Sequence, residues 1–160
     1  MPNQIQISPS MMCADPLALG EVLGVLAAAK IEWLHIDVMD GHYVPNFTLG
    51  PDYCRALTKV SPIPLDVHLM VESPERHIAL FAGFSGARVT FHPETTHQPV
   101  RVIEQIREAG ASPGIALDPA LPGTPTGRQV LSASCGGLLR LDADGKVEPD
   151  LAVGLPQVSN

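Results

Sequence analysis

The sequence predicts an α/β protein, a TIM-type (β/α) barrel of about five to six units, and three observations carry that prediction. Short β-rich runs alternate with helical stretches, an order that implies parallel strands with helices packed outside them. The strand-like runs hold few charges, as strands covered on their outer face do. No Gly-x-Gly-x-x-Gly follows the first strand, where Ser8-Pro9-Ser10-Met11-Met12 stands instead. An open dinucleotide-binding sheet would need that motif, so a closed barrel is preferred.

Each element has its own signal. Gln4–Ser8 reads as a strand ended by Pro9. Asp15 as N-cap and Pro16 at the first helical position open a helix to about Ala29, striped by Leu17, Val22, Leu23, Val25 and Leu26. Trp33–Val38 reads as a strand, Pro51–Val60 as a helix and Leu65–Leu69 as the third strand. Ser73-Pro74 opens the next helix, with Glu75 favoured by the helix dipole. Ala87–Phe91 is the fourth strand, Pro99–Ala109 the fourth helix stopped by Gly110, and Pro113–Leu117 the fifth strand. After Leu117 the pattern degrades. The run Asp118–Gly127 is rich in proline and glycine and reads as a loop, and Arg128–Ala133 as a helical turn or two. Gly137–Leu141 reads as a sixth strand before the turn signal Asp142-Ala143-Asp144-Gly145.

At 160 residues the chain suits a single domain, residues 1–160, with one sizeable core. A net charge of −7 with ten scattered Lys and Arg excludes a nucleic-acid surface. It leaves room for a small phosphate ester held by backbone N–H groups. No apolar run approaches the roughly 20 residues of a membrane span. Met1-Pro2-Asn3-Gln4 lacks the features of a signal peptide, so the expectation is a cytoplasmic protein without a membrane partner. Cys13, Cys54 and Cys135 show no ligand spacing and read as buried free thiols.

The chemistry concentrates in Leu34–Gly41. On a strand His35, Asp37 and Met39 project to one side, because residues two apart share a face. Asp66-Val67-His68-Leu69-Met70 repeats the device with His68 and Met70. Imidazoles and a carboxylate converging at strand ends, where barrel enzymes keep their sites, make a metal site for zinc, iron, manganese or cobalt. The bland alternative is a pair of satisfied core histidines and a capping aspartate. Methionine at these positions also serves as ordinary core filling.

Ile7–Ser10, His35–Asn46 and Leu65–Met70 closely resemble three signatures of the ribulose-phosphate 3-epimerase family, and Phe91-His92-Pro93-Glu94-Thr95 resembles a segment of its allulose-6-phosphate 3-epimerase branch. The resemblance runs to about Pro119, so residues 1–119 carry it and 120–160 diverge. It implies a barrel of the ribulose-phosphate-binding type that inverts C3 of a ketose phosphate. Ribulose 5-phosphate is preferred over allulose 6-phosphate as substrate. It implies one divalent metal on His35, Asp37, His68 and a later aspartate, Asp144. It makes Asp37 and Asp144 the two carboxylates that exchange a proton on opposite faces of an enediolate. It assigns Ser10, His68, Met39, Met70 and Gly145 to the substrate. Asp142, two residues from Asp144, is the alternative second acid.

The family's later features are not found. No Asn-Pro-Gly-Phe-Gly-Gly-like phosphate loop occurs; Cys135-Gly136-Gly137 is only a glycine pair in that region. Three expectations compete: a deletion variant, a fragment that completes its barrel with another chain, and a non-catalytic binding or assembly module. Uncovered strands would favour a homo-oligomer. A Schiff-base aldolase is disfavoured, since Lys30, Lys59 and Lys146 fall at helix or turn positions.

Overall fold

The alternating pattern becomes physical structure in a computed structural model that describes residues 6–116, 139–141 and 147–149. The chain divides into two compact units, Met1–Ala116 and Leu117–Asn160.

The first unit contains α1 (Leu19–Ala28), β1 (Leu34–Met39), α2 (Pro51–Val60), β2 (Leu65–Met70), α3 (Ile78–Phe81), β3 (Arg88–Phe91), α4 (Pro99–Glu108) and β4 (Ser112–Ile115). Short 3-10 turns lie at Met11–Cys13, Pro74–Arg76 and Pro93–Thr95. All four strands are parallel, in the order β1-β2-β3-β4. Parallel neighbours in sequence order, linked through helices, are the repeating element of a TIM-type fold, here as a partial one.

Residues that alternate along β1 and β2 fall on opposite sides. Leu34, Ile36, Val38, Leu65, Val67 and Leu69 are buried, while the residues between them are half-exposed. The buried side joins one core with Leu23 of α1, Cys54 and Leu57 of α2, Ile78 and Phe81 of α3, and Val102 and Ile106 of α4. Each such side chain contributes about 1.5–3 kcal/mol when fully buried. Gly110 follows α4 with φ +90, a left-handed turn that glycine adopts without steric cost.

Four local expectations need correction. Residues 6–8 do not form a strand; the segment joins the sheet only at a parallel bridge between Ser10 and His35. Pro9 has no N–H to continue a ladder, although its carbonyl accepts from the His35 amide at 3.0 Å. Asp15 does not cap α1. Its carboxylate accepts from the Leu17 amide at 2.9 Å in an Asx turn, and the helix starts at Leu19. The apolar face is then Leu19, Val22, Leu23 and Leu26, while Leu17 and Val25 are exposed. Ser73 makes no cap bond either: it sits at φ +51, and Pro74–Arg76 forms a 3-10 turn before α3. Cys13, finally, is exposed, whereas Cys54 is buried as expected.

In the second unit β5 (Leu139–Leu141) pairs antiparallel with β6 (Val147–Pro149) in a separate two-stranded sheet. The predicted sixth strand is therefore an arm of an antiparallel pair. The link of residues 142–146 is too short for a parallel crossover, which takes about a dozen residues. Asp142, Asp144, Gly145, Cys135-Gly136-Gly137 and the expected turns at Arg128–Ala133 lie outside the described residues. Among the described residues no helix is long and apolar enough to cross a membrane.

Candidate functional site

Two strand sequences, His-x-Asp-x-Met on β1 and Asp-x-His-x-Met on β2, meet in parallel register on the side of the sheet away from the core. That register sets His35 beside Asp66, Asp37 beside His68 and Met39 beside Met70. Each histidine thereby faces a carboxylate on the neighbouring strand. A register slip of one residue would turn one set toward the core.

The contacts are direct. His35 Nδ1 lies 2.9 Å from Asp66 Oδ2, and its Nε2 lies 3.1 Å from Asp37 Oδ1. Asp37 Oδ1 is also 3.4 Å from His68 Nδ1. Asp37 Oδ2 accepts from the Ser10 hydroxyl at 2.6 Å, and the Ser10 oxygen in turn accepts from the Met12 amide. The Asp37 carbonyl accepts from Thr48 Oγ1 at 2.6 Å. Ser8 donates to Asp66 Oδ2 at 3.0 Å, so that carboxylate is tied on a second side.

Electrostatics separate the two histidines. The hydrogen bond to Asp66 pushes His35 above its ordinary pKa; burial opposes this, and the charges of Asp37 and Asp66 support it. The same bond holds Asp66 below the usual carboxylate value, with help from Ser8 and Arg88. His68 is held below its ordinary value by burial and by neighbouring His92 and His35, with Asp37 opposing. His68 therefore favours the neutral ring, the form that offers a lone pair.

The donor set suits a cation. With Nδ1–H donated to Asp66, a neutral His35 ring would present its Nε2 lone pair on the side of Asp37 Oδ1. His35, Asp37 and His68 each place one ligand atom within 4.8 Å of the others. Two imidazoles and a carboxylate gathered this closely are the donor types that a divalent ion such as zinc takes. Met39 and Met70 flank this cluster at the strand ends on the same side.

Beyond the strands, Asp40 anchors the loop that follows β1. Its Oδ1 accepts from the amides of His42 and Tyr43 at 2.8 and 3.1 Å, and its Oδ2 from the Glu72 amide at 2.8 Å. Gly41 in this loop has φ +75, and a side chain there would collide with the Phe47 ring. The loop delivers Tyr43 to His92 and Glu94, which follow β3.

Residues 6–134 match the sequence model of the Ribulose-phosphate 3 epimerase family. The chain belongs to that family. It is 44% identical over 119 residues to the ribulose-phosphate 3-epimerase of Mycobacterium leprae, covering 74% of this chain and 52% of that protein. It is 43% identical over 118 residues to ribulose-phosphate 3-epimerase 1 of Cupriavidus necator, covering 74% and 49%. The Bacillus subtilis ribulose-phosphate 3-epimerase is 41% identical over 118 residues, covering 74% and 54%. The chain thus spans about half the length of the curated relatives it matches.

The structure brings together six of the residues read from the family's motifs: Ser10, His35 and Asp37 with His68 by contact, and Met39 with Met70 in register beside them. The sequence reading missed Asp66 as a partner of the cluster, although it lies two residues before His68 and so shares its face. It also missed the grouping of Tyr43, His92 and Glu94. No spacing rule joins residues about 50 positions apart on separate loops.

Proposed function

We propose that this chain carries the metal-binding and first proton-transfer part of a ketose-phosphate 3-epimerase, acting on ribulose 5-phosphate to give xylulose 5-phosphate. The observation that supports it most is the shared carboxylate, Asp37, between two imidazoles on an accessible sheet face. In this reading His35, Asp37 and His68 hold one divalent ion, zinc, iron, manganese or cobalt, with Asp144 as a further ligand. When bound, that ion stabilises the negative charge of an enediolate as a Lewis acid.

The side chains do the rest. Asp37 takes the C3 proton from the face it meets, and its other oxygen stays oriented by Ser10. Asp66 holds the His35 ring in place through Nδ1. Met39 and Met70 cover the planar intermediate and exclude water without competing for the proton. Asp144 returns a proton on the opposite face, and Gly145 beside it lets the backbone approach the substrate; Asp142 is the alternative acid. The reading of residues 1–160 as a single barrel-type domain, with 1–119 matching the family and 120–160 divergent, belongs to the same proposal.

The test is exchange of the C3 proton in deuterated water, followed by NMR with metal supplied. The expected result is deuterium at C3 of ribulose 5-phosphate together with xylulose 5-phosphate. Asp37→Asn should abolish both, and Asp144→Asn should stop epimerisation while leaving exchange from one face, provided metal content is retained. Failure of the unmutated chain to exchange C3 of either ribulose 5-phosphate or allulose 6-phosphate would leave a non-catalytic binding module.

A homo-oligomer is part of the proposal, because β4 pairs only with β3 among the described residues and an unpaired parallel edge favours association. Light scattering that gives the mass of one chain at micromolar concentration would overturn it.

A further inference from the structure

The segment after β3 holds polar groups that the proposed reaction does not use. His92 Nε2 lies 2.9 Å from His68 Nε2. The ring centroids are 5.0 Å apart with 27° between planes, so the two nitrogens are the nearest points of the pair. On the far side of the His92 ring, Nδ1 lies 3.0 Å from the Tyr43 hydroxyl oxygen and 3.1 Å from Glu94 Oε1. The Tyr43 hydroxyl donates to that same Glu94 oxygen at 2.6 Å.

The proton positions follow from what each group can do. An ionised carboxylate only accepts, and a hydroxyl whose proton is directed at Glu94 presents a lone pair to His92. His92 Nδ1 must therefore carry the proton and donate. A neutral imidazole with a protonated Nδ1 has an accepting Nε2. Across the 2.9 Å contact, His68 Nε2 must then be the donor. That leaves the lone pair of His68 on Nδ1, the atom 3.4 Å from Asp37 Oδ1.

We propose that Glu94 and His92 are positioning residues that set the tautomer of His68, so that its Nδ1 lone pair is aimed at the cation position beside Asp37. The inference rests on the reading of His68 as a metal ligand for its purpose, though not for its geometry. It gives His68 the same support that Asp66 gives His35: the outer nitrogen of each ring is occupied, leaving the inner one to bind. The support differs in reach. Asp66 is adjacent to His35 on the next strand, whereas Glu94 acts through a second imidazole. Outer partners of this kind are worth about 10–100-fold in metal affinity.

The decisive measurement needs no substitution. Long-range proton–nitrogen NMR on the whole, metal-free chain at mildly alkaline pH distinguishes a ring protonated at Nε2 from one protonated at Nδ1. The expected result is His68 protonated at Nε2 and His92 at Nδ1; His68 protonated at Nδ1 overturns the proposal. Glu94→Gln replaces an obligate acceptor with a group that can donate to His92. It should move His68 toward the Nδ1–H form and weaken zinc binding about 10–100-fold, read by competition with a chromophoric chelator. Tyr43→Phe keeps the Glu94 acceptor and should preserve the His68 tautomer. An unchanged tautomer and zinc affinity in folded Glu94→Gln would overturn the relay. An unmutated chain that binds no zinc would overturn the metal reading instead, while the tautomers of the metal-free rings still decide the relay.

Discussion

Alternate residues of β1 and β2 live in two different environments, and comparing them explains how one short sheet provides both stability and chemistry. Leu34, Ile36, Val38, Leu65, Val67 and Leu69 are at most 7% exposed and belong to one apolar core. The intervening His35, Asp37, Asp66 and His68 keep 27, 15, 18 and 21% of their side chains open. The apolar side tolerates no polar group without a partner. The opposite side gathers polar groups that partner one another and still reach solvent. Alternation within one strand means that neither role constrains the other's side chains.

Substitution can break this division, and the largest effect should come from the buried side. Leu69→Ala removes a fully buried side chain next to His68 and should cost about 2–5 kcal/mol of unfolding free energy. Urea unfolding followed by circular dichroism measures it. Zinc affinity per folded molecule should stay near that of the unmutated chain. A loss below about 1 kcal/mol would show that this side is not the core.

Asp37→Asn should do the reverse. It removes the one carboxylate both imidazoles share, so zinc occupancy should fall by about tenfold or more. The cost to unfolding should be only about 1–2 kcal/mol, because Ser10 can still donate to the amide oxygen. Metal analysis after gel filtration reads the first quantity and urea unfolding the second. Full occupancy in the variant would mean that the polar side holds no ion through Asp37.

A smaller effect sharpens the comparison at the loop that leaves β1. Burial pushes Asp40 upward, but the amides of His42, Glu72 and Tyr43 outweigh it and hold the carboxyl below 3.8. A carboxylate with a depressed folded pKa stabilises fully above its unfolded value and loses that contribution as pH falls through the folded one. Asp40→Asn should therefore cost up to about 1 kcal/mol near neutrality. The gap between variant and unmutated chain should narrow below the ordinary carboxylate value of 3.8 and close as pH falls through the lower folded one. Thermal unfolding across that range measures the gap; a gap that persists in acid would assign it to shape rather than charge.

The same contrast separates what was legible in the sequence. The ranges of β1, α2, β2 and α4 were legible within a residue or so, because short β-rich runs alternate with helical stretches along the chain. The starts of α1 and α3 were not. Asp15 and Ser73 are good capping residue types, yet Asp15 turns its carboxylate onto Leu17 and Ser73 enters a left-handed conformation without a cap bond. Capping preference is a local tendency, and the path the chain takes between sheet and helix overrides it.

The sequence by itself determined that His35, Asp37 and Met39 share one face and that His68 and Met70 share another, since a strand's side-chain period permits nothing else. It also determined the family, through motifs long enough to be specific. Only the tertiary structure decided that the two faces meet in the register that pairs His35 with Asp66 and Asp37 with His68. Register is a property of two strands and the core they cover. The line from Glu94 through His92 to His68 likewise exists only once the segment after β3 is packed beside β2. Hydrogen bonds between distant segments follow from where the core places their backbones, and no local pattern encodes that placement.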